Sequence, residues 1–208
     1  MVRNKYIRIC LRLFLVLAGM VVLAALILFN YETEVTANQH EYVYELPFQH
    51  GSTYKVVQGY GGLFSHSHIA ALDFAMPEGT PVHASRDGVV YSYRDDSDRG
   101  GMTARYKNDA NYIMIRHDDG SFGCYWHLQK GGVLIKKGRV KKGQQIGLSG
   151  ATGQVVRPHL HFSVKKKLNY QRDSFVRTRF RTSKGIQFLE KGNYYGYDPR
   201  VYDKSLTD

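Results

Sequence analysis

The chain has 208 residues, of which 43% are hydrophobic and 23% are charged. This balance excludes a disordered or low-complexity chain, and the length suits one good-sized globular domain with an appendage. The formal net charge is +11 at pH 7. The two cysteines, Cys10 and Cys124, do not provide a disulfide framework, so the domain must be held together by its core, with or without the help of a metal.

The N-terminal segment has the charge order of an export signal. An uncharged apolar run covers Leu13–Phe29, with basic residues before it and acidic residues after it, namely Arg3, Lys5, Arg8 and Arg12, then Glu32 and Glu34. This order is typical of a segment that keeps its N-terminus in the cytoplasm. We therefore predict a basic tip and signal anchor over residues 1–30, with the rest of the chain outside the cytoplasm. Cleavage after Ala37, in "VTA", is the alternative.

The basic residues of the exported part are concentrated in "KKGRVKKG" and in the segment after Val164. Nucleic acid is not an expected partner outside the cytoplasm, so this charge favours an anionic envelope polymer or a lipid headgroup. A solvated basic face without a partner is the alternative interpretation.

Beyond the anchor, short β-branched and aromatic runs alternate with Gly and Asp-Gly turns. This pattern predicts an all-β domain built from antiparallel hairpins. The clearest hairpin joins Tyr112–His117 to Phe122–Leu128 through Asp119 and Gly120. We divide this part of the chain into a lead-in, a core domain and a basic, Tyr-rich extension packed on the core, over residues 31–57, 58–165 and 166–208.

Two histidines, His66 and His68, precede Asp73 by a short loop in "GLFSHSHIAALDFAM". Asp73 lies in an apolar run, where a carboxylate is costly to bury unless it is paired or bound to a cation. An ion pair with one of the many Arg or Lys residues is the alternative to a metal.

A third element is "CYWHL". On a regular strand Trp126 faces one way, and Tyr125 and His127 face the other. A histidine on such a strand is also compatible with a simple half-buried, hydrogen-bonded side chain. Cys124 is interpreted as a small buried residue and not as a nucleophile.

The stretch "PHLHFSV" predicts a strand with His159 and His161 on one face, about 7 Å apart, and apolar residues on the other. The apolar set can face the core, which leaves both imidazoles at a surface or cleft. Together with Asp73 and the histidines before it, they supply imidazole and carboxylate ligands suited to a zinc site with an open position.

These blocks, with "VKKGQQIGLSGATG" between the last two, resemble the lysostaphin/LytM-type zinc endopeptidases of peptidoglycan. The resemblance runs from about Gln58 to Val164. It implies a compact antiparallel β-sheet core with an active-site groove, one Zn²⁺ per chain, and a peptidoglycan peptide as substrate.

The resemblance also assigns residues. It places metal ligands on Asp73 and His161 and the catalytic histidines on His127 and His159. The remaining metal ligand is His66 or His68; His66 is slightly preferred because a subgroup of the family has this histidine in an "fSH" block.

We therefore predict an inner-membrane zinc endopeptidase, with its domain in the periplasm, that cuts peptide cross-links of peptidoglycan. One alternative is a non-catalytic member that binds the wall and regulates another hydrolase; another is a basic wall-binding protein without chemistry. The presence of the aspartate and of both histidine blocks favours the enzyme. The chain has no "HExxH", so a glutamate base on a metal-binding helix is not available, and whether His127 or His159 is the base stays open.

Overall fold

The computed structural model describes residues 11–27, 39–62, 65–169, 171 and 174–197. The chain divides into two compact units, residues 1–37 and 38–208, and each is considered by itself.

In the N-terminal unit, residues 11–27 form a helix, α1. Nowhere in the described chain is a helix long and apolar enough to cross a membrane. The predicted single-pass anchoring in the inner membrane is therefore wrong. The basic residues Arg3, Lys5 and Arg8 and the alternative cleavage site at Ala37 lie outside the described residues.

Within the described residues, the second unit is built from β-strands and a short 3₁₀ helix, as the alternation of apolar runs and turns predicts. The strands within the described residues are β1 Gln39–Glu45, β2 Thr53–Gln58, β3 Ala71–Phe74, β4 Pro81–His83, β5 Gly88–Arg94, β6 Gly100–Gly101, β7 Asn111–Arg116, β8 Phe122–Val133, β9 Arg139–Val140, β10 Gln145–Ser149, β11 Gly153–Gln154, β12 Leu160–Lys165, β13 Phe175–Thr182, β14 Gly185–Gln187 and β15 Tyr194–Gly196. The 3₁₀ helix covers Ala104–Asp109, between β6 and β7.

The main sheet has the strand order β15-β2-β3-β12-β8-β7-β5-β9, and each neighbouring pair in this row is antiparallel. Strand β10 joins β4 to β8, and β13 extends the sheet from β12 to β14. The predicted all-β, antiparallel core is thus confirmed. Two parallel pairs, β1 with β13 and β6 with β11, were not predicted.

The predicted hairpin is present as β7 and β8, which pair from Arg116 and Phe122 outward. Gly120 lies at the turn with φ +81°, a left-handed conformation that glycine adopts without steric cost. The hairpin therefore places β8, which carries His127, at the centre of the sheet beside β12.

One face of the central strands forms the core. Leu160, Phe162 and Val164 on β12 are at most 1% exposed, so the apolar half of "PHLHFSV" is buried as predicted. Tyr44 of β1 and Phe180 of β13 pack their rings against Phe162. The segments before and after the predicted core domain therefore contribute strands and core side chains to the same unit.

Candidate metal centre and active site

Asp73 and His161 lie directly opposite each other on β3 and β12. Because residues opposite each other in an antiparallel pair project to the same face, both side chains lie on the face away from the core. The Nδ1 atom of His161 is 2.9 Å from Oδ1 of Asp73. Sheet register alone thus brings together a carboxylate and an imidazole that are far apart in the sequence.

His66 completes a three-residue group. Its Nε2 atom lies 3.2 Å from Oδ1 of Asp73 and 3.1 Å from Nδ1 of His161. The other ring nitrogen, Nδ1, lies 3.0 Å from the carbonyl oxygen of Gly59 and donates to it, which leaves the Nε2 lone pair directed at the group. His66 is fully buried, so its ring orientation is fixed by the fold.

The spacing of these three atoms fits a zinc ion. Zinc binds histidine nitrogen and carboxylate oxygen at about 2.0–2.2 Å in a tetrahedron, so neighbouring ligand atoms are about 3.3 Å apart. The three distances found here are 2.9, 3.1 and 3.2 Å. Two imidazoles and one carboxylate are also the ligand types that zinc prefers.

The structure does not bring His68 into this group. Its side chain is exposed, and the histidine that joins Asp73 and His161 is His66. The two histidines lie on one short loop, and His66 is the buried one.

His159 lies beside the group and not within it. Its Nε2 atom is 3.7 Å from Oδ1 of Asp73, longer than the distances among the other three residues. Its Nδ1 atom donates to the carbonyl oxygen of Arg157 at 2.8 Å, so Nε2 is the nitrogen that faces the site. As predicted, His159 and His161 reach the same side of the sheet.

His127 occupies the site through a break in the strand pattern. It is in the left-handed region with φ +66°, and the register of β7 with β8 shifts at this residue. The inserted residue is a β-bulge, which re-aims a side chain. The ring of His127 is therefore 4.7 Å from that of His159 and 5.8 Å from that of His161. The predicted orientation of His127, on the face opposite Trp126, is wrong for this reason.

A carbonyl on a neighbouring loop orients His127. Nδ1 of His127 donates to the carbonyl oxygen of Thr152 at 2.7 Å. The Thr152 hydroxyl donates to the carbonyl of Leu128 and accepts from the amide of Asn111, which fixes the loop to the bulge. Gly59 and Thr152 cannot be recognised from the sequence, because a backbone carbonyl leaves no signature in residue type.

Electrostatics favours the neutral form of His161 and His127 beside an ionised Asp73. Burial would raise the pKa of Asp73, but hydrogen bonds from His161 and His66 outweigh it and hold that pKa well below its usual range. Burial lowers the pKa of His161, against the opposing effect of Asp73. Burial, together with His159 and His161, lowers the pKa of His127 to about 3. Neutral nitrogens and an ionised carboxylate are the forms that bind a metal.

Three potential metal ligands with two further histidines beside them are the residue types of a hydrolytic metal centre. The sequence profile of peptidase family M23 matches residues 67–173, just over half of the chain. The chain therefore belongs to peptidase family M23, which confirms the resemblance seen in the sequence.

The chain is also similar to curated proteins and to solved structures. The chain is similar to peptidoglycan DD-endopeptidase ShyA of Vibrio cholerae, with 46% identity over 93 residues, covering 44% of this chain and 19% of ShyA. It is 37% identical over 94 residues to DD-carboxypeptidase/endopeptidase Mpg of Neisseria meningitidis, covering 45% and 19%. The match spans about a fifth of the length of these relatives. The catalytic domain of lysostaphin from Staphylococcus simulans aligns with a TM-score of 0.42 and 26% identity, covering 60% of this chain and 86% of that one.

Proposed function

We propose that this protein is a zinc-dependent endopeptidase that hydrolyses peptide cross-links of peptidoglycan. The observation that supports it most is the group of Asp73, His66 and His161, whose ligand atoms are spaced for a tetrahedral zinc ion. Membership of family M23 and similarity to proteins named peptidoglycan DD-endopeptidases support the substrate class.

The metal would be held by Nε2 of His66, Oδ1 of Asp73 and Nδ1 of His161. Zinc bound there would supply Lewis acidity, polarising the scissile carbonyl and making a water molecule more acidic. Three protein ligands leave a position for that water, which is the arrangement of catalytic and not structural zinc sites.

His159 and His127 would handle the proton. Each ties its Nδ1 to a backbone carbonyl and so presents Nε2 to the site as an acceptor. One of them would take the proton of the attacking water and, once protonated, would donate a hydrogen bond to the developing oxyanion or return the proton to the leaving amine. Which imidazole acts first stays open, because both have the same tautomer.

The non-catalytic alternative is less well supported. A wall-binding regulator has no need of a metal site, yet all five side chains that an enzyme of this type requires lie together here, namely His66, Asp73, His127, His159 and His161. A carboxylate-imidazole group spaced for a metal ion, with two further histidines beside it, is an arrangement with a use in hydrolysis.

The decisive experiment is incubation of the full-length chain with purified sacculi, with and without a chelator, followed by mass spectrometry of the released fragments. We expect zinc-dependent release of peptide-linked fragments cut at an amide of the cross-link. Asp73→Asn serves as the matched inactive protein, because it preserves the size of the side chain. Release that is equal in the chelated and zinc-loaded samples would overturn the proposal, and so would binding to sacculi without any release.

A further inference from the structure

The metal ligands belong to a longer row of side chains that crosses the sheet. His161 pairs with Asp73 on one side and with Trp126 on the other, and Trp126 pairs in turn with Tyr112. All three pairs are antiparallel, so the four side chains project to the same face of the sheet. The row therefore runs without a gap from the metal ligands to two aromatic side chains.

The two aromatic residues form a pair. The ring centroids of Tyr112 and Trp126 are 4.5 Å apart at an interplanar angle of 39°, and both side chains are only half-buried. The Tyr112 hydroxyl is 3.2 Å from the hydroxyl of Ser92, which fixes the outer end of the pair. Beyond Tyr112 the row reaches Arg94, which already binds Asp96 and the carbonyl of Asn108.

The bulge brings His127 onto the face that Trp126 already occupies. In a regular strand consecutive side chains point to opposite faces, so Trp126 and His127 could not both serve one site. With His127 at φ +66°, Trp126 stays in register with His161 while the His127 ring lies 5.8 Å from the His161 ring. Because of the bulge, His127 and the aromatic pair therefore lie on the same face of the sheet.

The distance along the row defines what the pair can contact. Neighbouring strands are about 4.8 Å apart, so Tyr112 lies about 10 Å from the strand that carries His161. An extended peptide advances about 3.3 Å per residue. When the scissile amide lies at the metal, the three residues next to it on one side are therefore within reach of the pair. Aromatic faces of this kind bury the apolar surface of a ligand and fix its orientation.

We propose that Trp126 and Tyr112 form a platform that binds the peptide residues flanking the scissile amide of the peptidoglycan cross-link. The inference rests on the proposed function for the identity of the substrate. The expected occupant is the peptide and not the sugar. The platform begins one strand from the metal ligands, so the peptide residues next to the scissile amide are the part of the substrate nearest to it.

Trp126 is the only tryptophan of the chain, so its emission reports directly on the platform. The full-length chain, freed of zinc so that the ligand stays intact, is titrated with a soluble cross-linked stem-peptide dimer without sugars. We expect a saturable shift of the emission to shorter wavelength, because the ligand removes the indole from water. A peptide-free oligosaccharide of the glycan strand should leave the emission unchanged. A shift with the oligosaccharide alone, or with neither ligand, would overturn the inference.

The second measurement uses the zinc-loaded chain and its kinetics on the same dimer. Tyr112→Leu removes one ring of the pair, and we expect KM to rise roughly tenfold while kcat stays within about twofold, as for a contact made equally in ground and transition states. Tyr112→Phe keeps the ring and loses only the hydroxyl, so its KM should remain close to wild type. Tyr91→Leu is the matched control, because Tyr91 is 55% exposed and packs on Phe122, outside the row. Unchanged KM in Tyr112→Leu would exclude the platform.

The two proposals fail separately. If the dimer shifts the Trp126 emission but the zinc-loaded chain does not cut it, the platform holds and the enzyme does not. If the chain cuts the dimer with the same KM in wild type and Tyr112→Leu, the enzyme holds and the platform does not. Zinc content and thermal unfolding of each variant identify any loss that comes from misfolding.

Discussion

Oδ1 of Asp73 lies 2.9 Å from Nδ1 of His161, and the two residues are direct partners across β3 and β12. With a metal bound, these two atoms would both be metal ligands. Without one, the contact is a hydrogen bond from the imidazole N–H to the carboxylate. Its length is set by the register of two central strands and not by a flexible loop. Two of the three proposed metal ligands are therefore positioned by the sheet itself.

The first prediction concerns zinc content. The full-length chain should carry close to one zinc per chain, and Asp73→Asn or His161→Ala should reduce this to near zero, because two ligands do not retain zinc as three do. Metal analysis after gel filtration measures the content directly. Wild-type protein that binds no zinc when prepared without chelators would exclude the metal centre.

The second prediction separates the two histidines of the loop. His66→Ala should abolish zinc binding, whereas His68→Ala should keep it, because only His66 points a ring nitrogen at Asp73 and His161. The pair of variants is well matched, since both remove an imidazole from the same short loop. Loss of zinc in His68→Ala with retention in His66→Ala would mean that the loop adopts another arrangement around the metal.

A third prediction distinguishes catalysts from ligands. His159→Ala and His127→Ala should keep zinc yet lose about 10²–10⁴-fold in the rate of cross-link hydrolysis, the usual effect of removing a positioned proton-transfer group or oxyanion donor. Zinc content and turnover are measured on the same preparation. Release of the metal by His159→Ala would show that the 3.7 Å separation from Asp73 shortens in the metal-bound protein.

The sequence predicted those parts of the site that follow from a regular strand. Alternation in "PHLHFSV" correctly separated His159 and His161 from the buried Leu160 and Phe162, because β12 is extended from Leu160 onward and His159 directly precedes it. The apolar setting of Asp73 likewise pointed to a buried carboxylate with a partner, and the partners are the imidazoles of His66 and His161.

The parts that sequence could not predict depend on irregular or distant structure. The bulge at His127 breaks the two-residue period on which the predicted orientation was based. The parallel pairing of Glu45 with Arg181 joins residues at opposite ends of the domain, and no local pattern encodes such a contact. The choice between His66 and His68 depends on how the loop folds over Gly59, which spacing alone does not determine.

A fourth prediction concerns stability against pH and rests on His117. This imidazole is 3% exposed, donates from Nδ1 to the carbonyl of Asp87 at 2.7 Å, and has no partner for Nε2 within the described residues. Burial lowers the pKa of His117 to about 4. The unfolded chain, with a histidine pKa of about 6.5, therefore binds a proton that the folded protein does not.

The contribution of His117 to the free energy of unfolding is thus fully present above pH 6.5. It is lost as the pH falls toward 4, by about 3 kcal/mol at most. His117→Gln keeps a donor for Asp87 but does not titrate. Urea unfolding at pH 7.5 and pH 5 should show a smaller loss of stability for His117→Gln than for wild type, because contributions of the other groups cancel in the comparison. An equal loss in both proteins would mean that His117 is protonated in the folded state.

The last prediction tests whether the segment after residue 165 belongs to the core. Phe180 on β13 is fully buried, with its ring 6.3 Å from that of Tyr44 and 5.7 Å from that of Phe162. Phe180→Ala should therefore lower the free energy of unfolding by about 3–5 kcal/mol, the usual cost of deleting a buried phenyl ring. Ile186→Ala on the paired strand β14 is the control; Ile186 is 48% exposed and its loss should cost less than about 0.5 kcal/mol. Both values come from urea unfolding followed by circular dichroism, and the second unit should unfold in one transition in each variant. If Phe180→Ala costs no more than Ile186→Ala, or if β13 unfolds in a separate early transition, the strand is an appendage to the sheet and not part of what holds Asp73 and His161 in register.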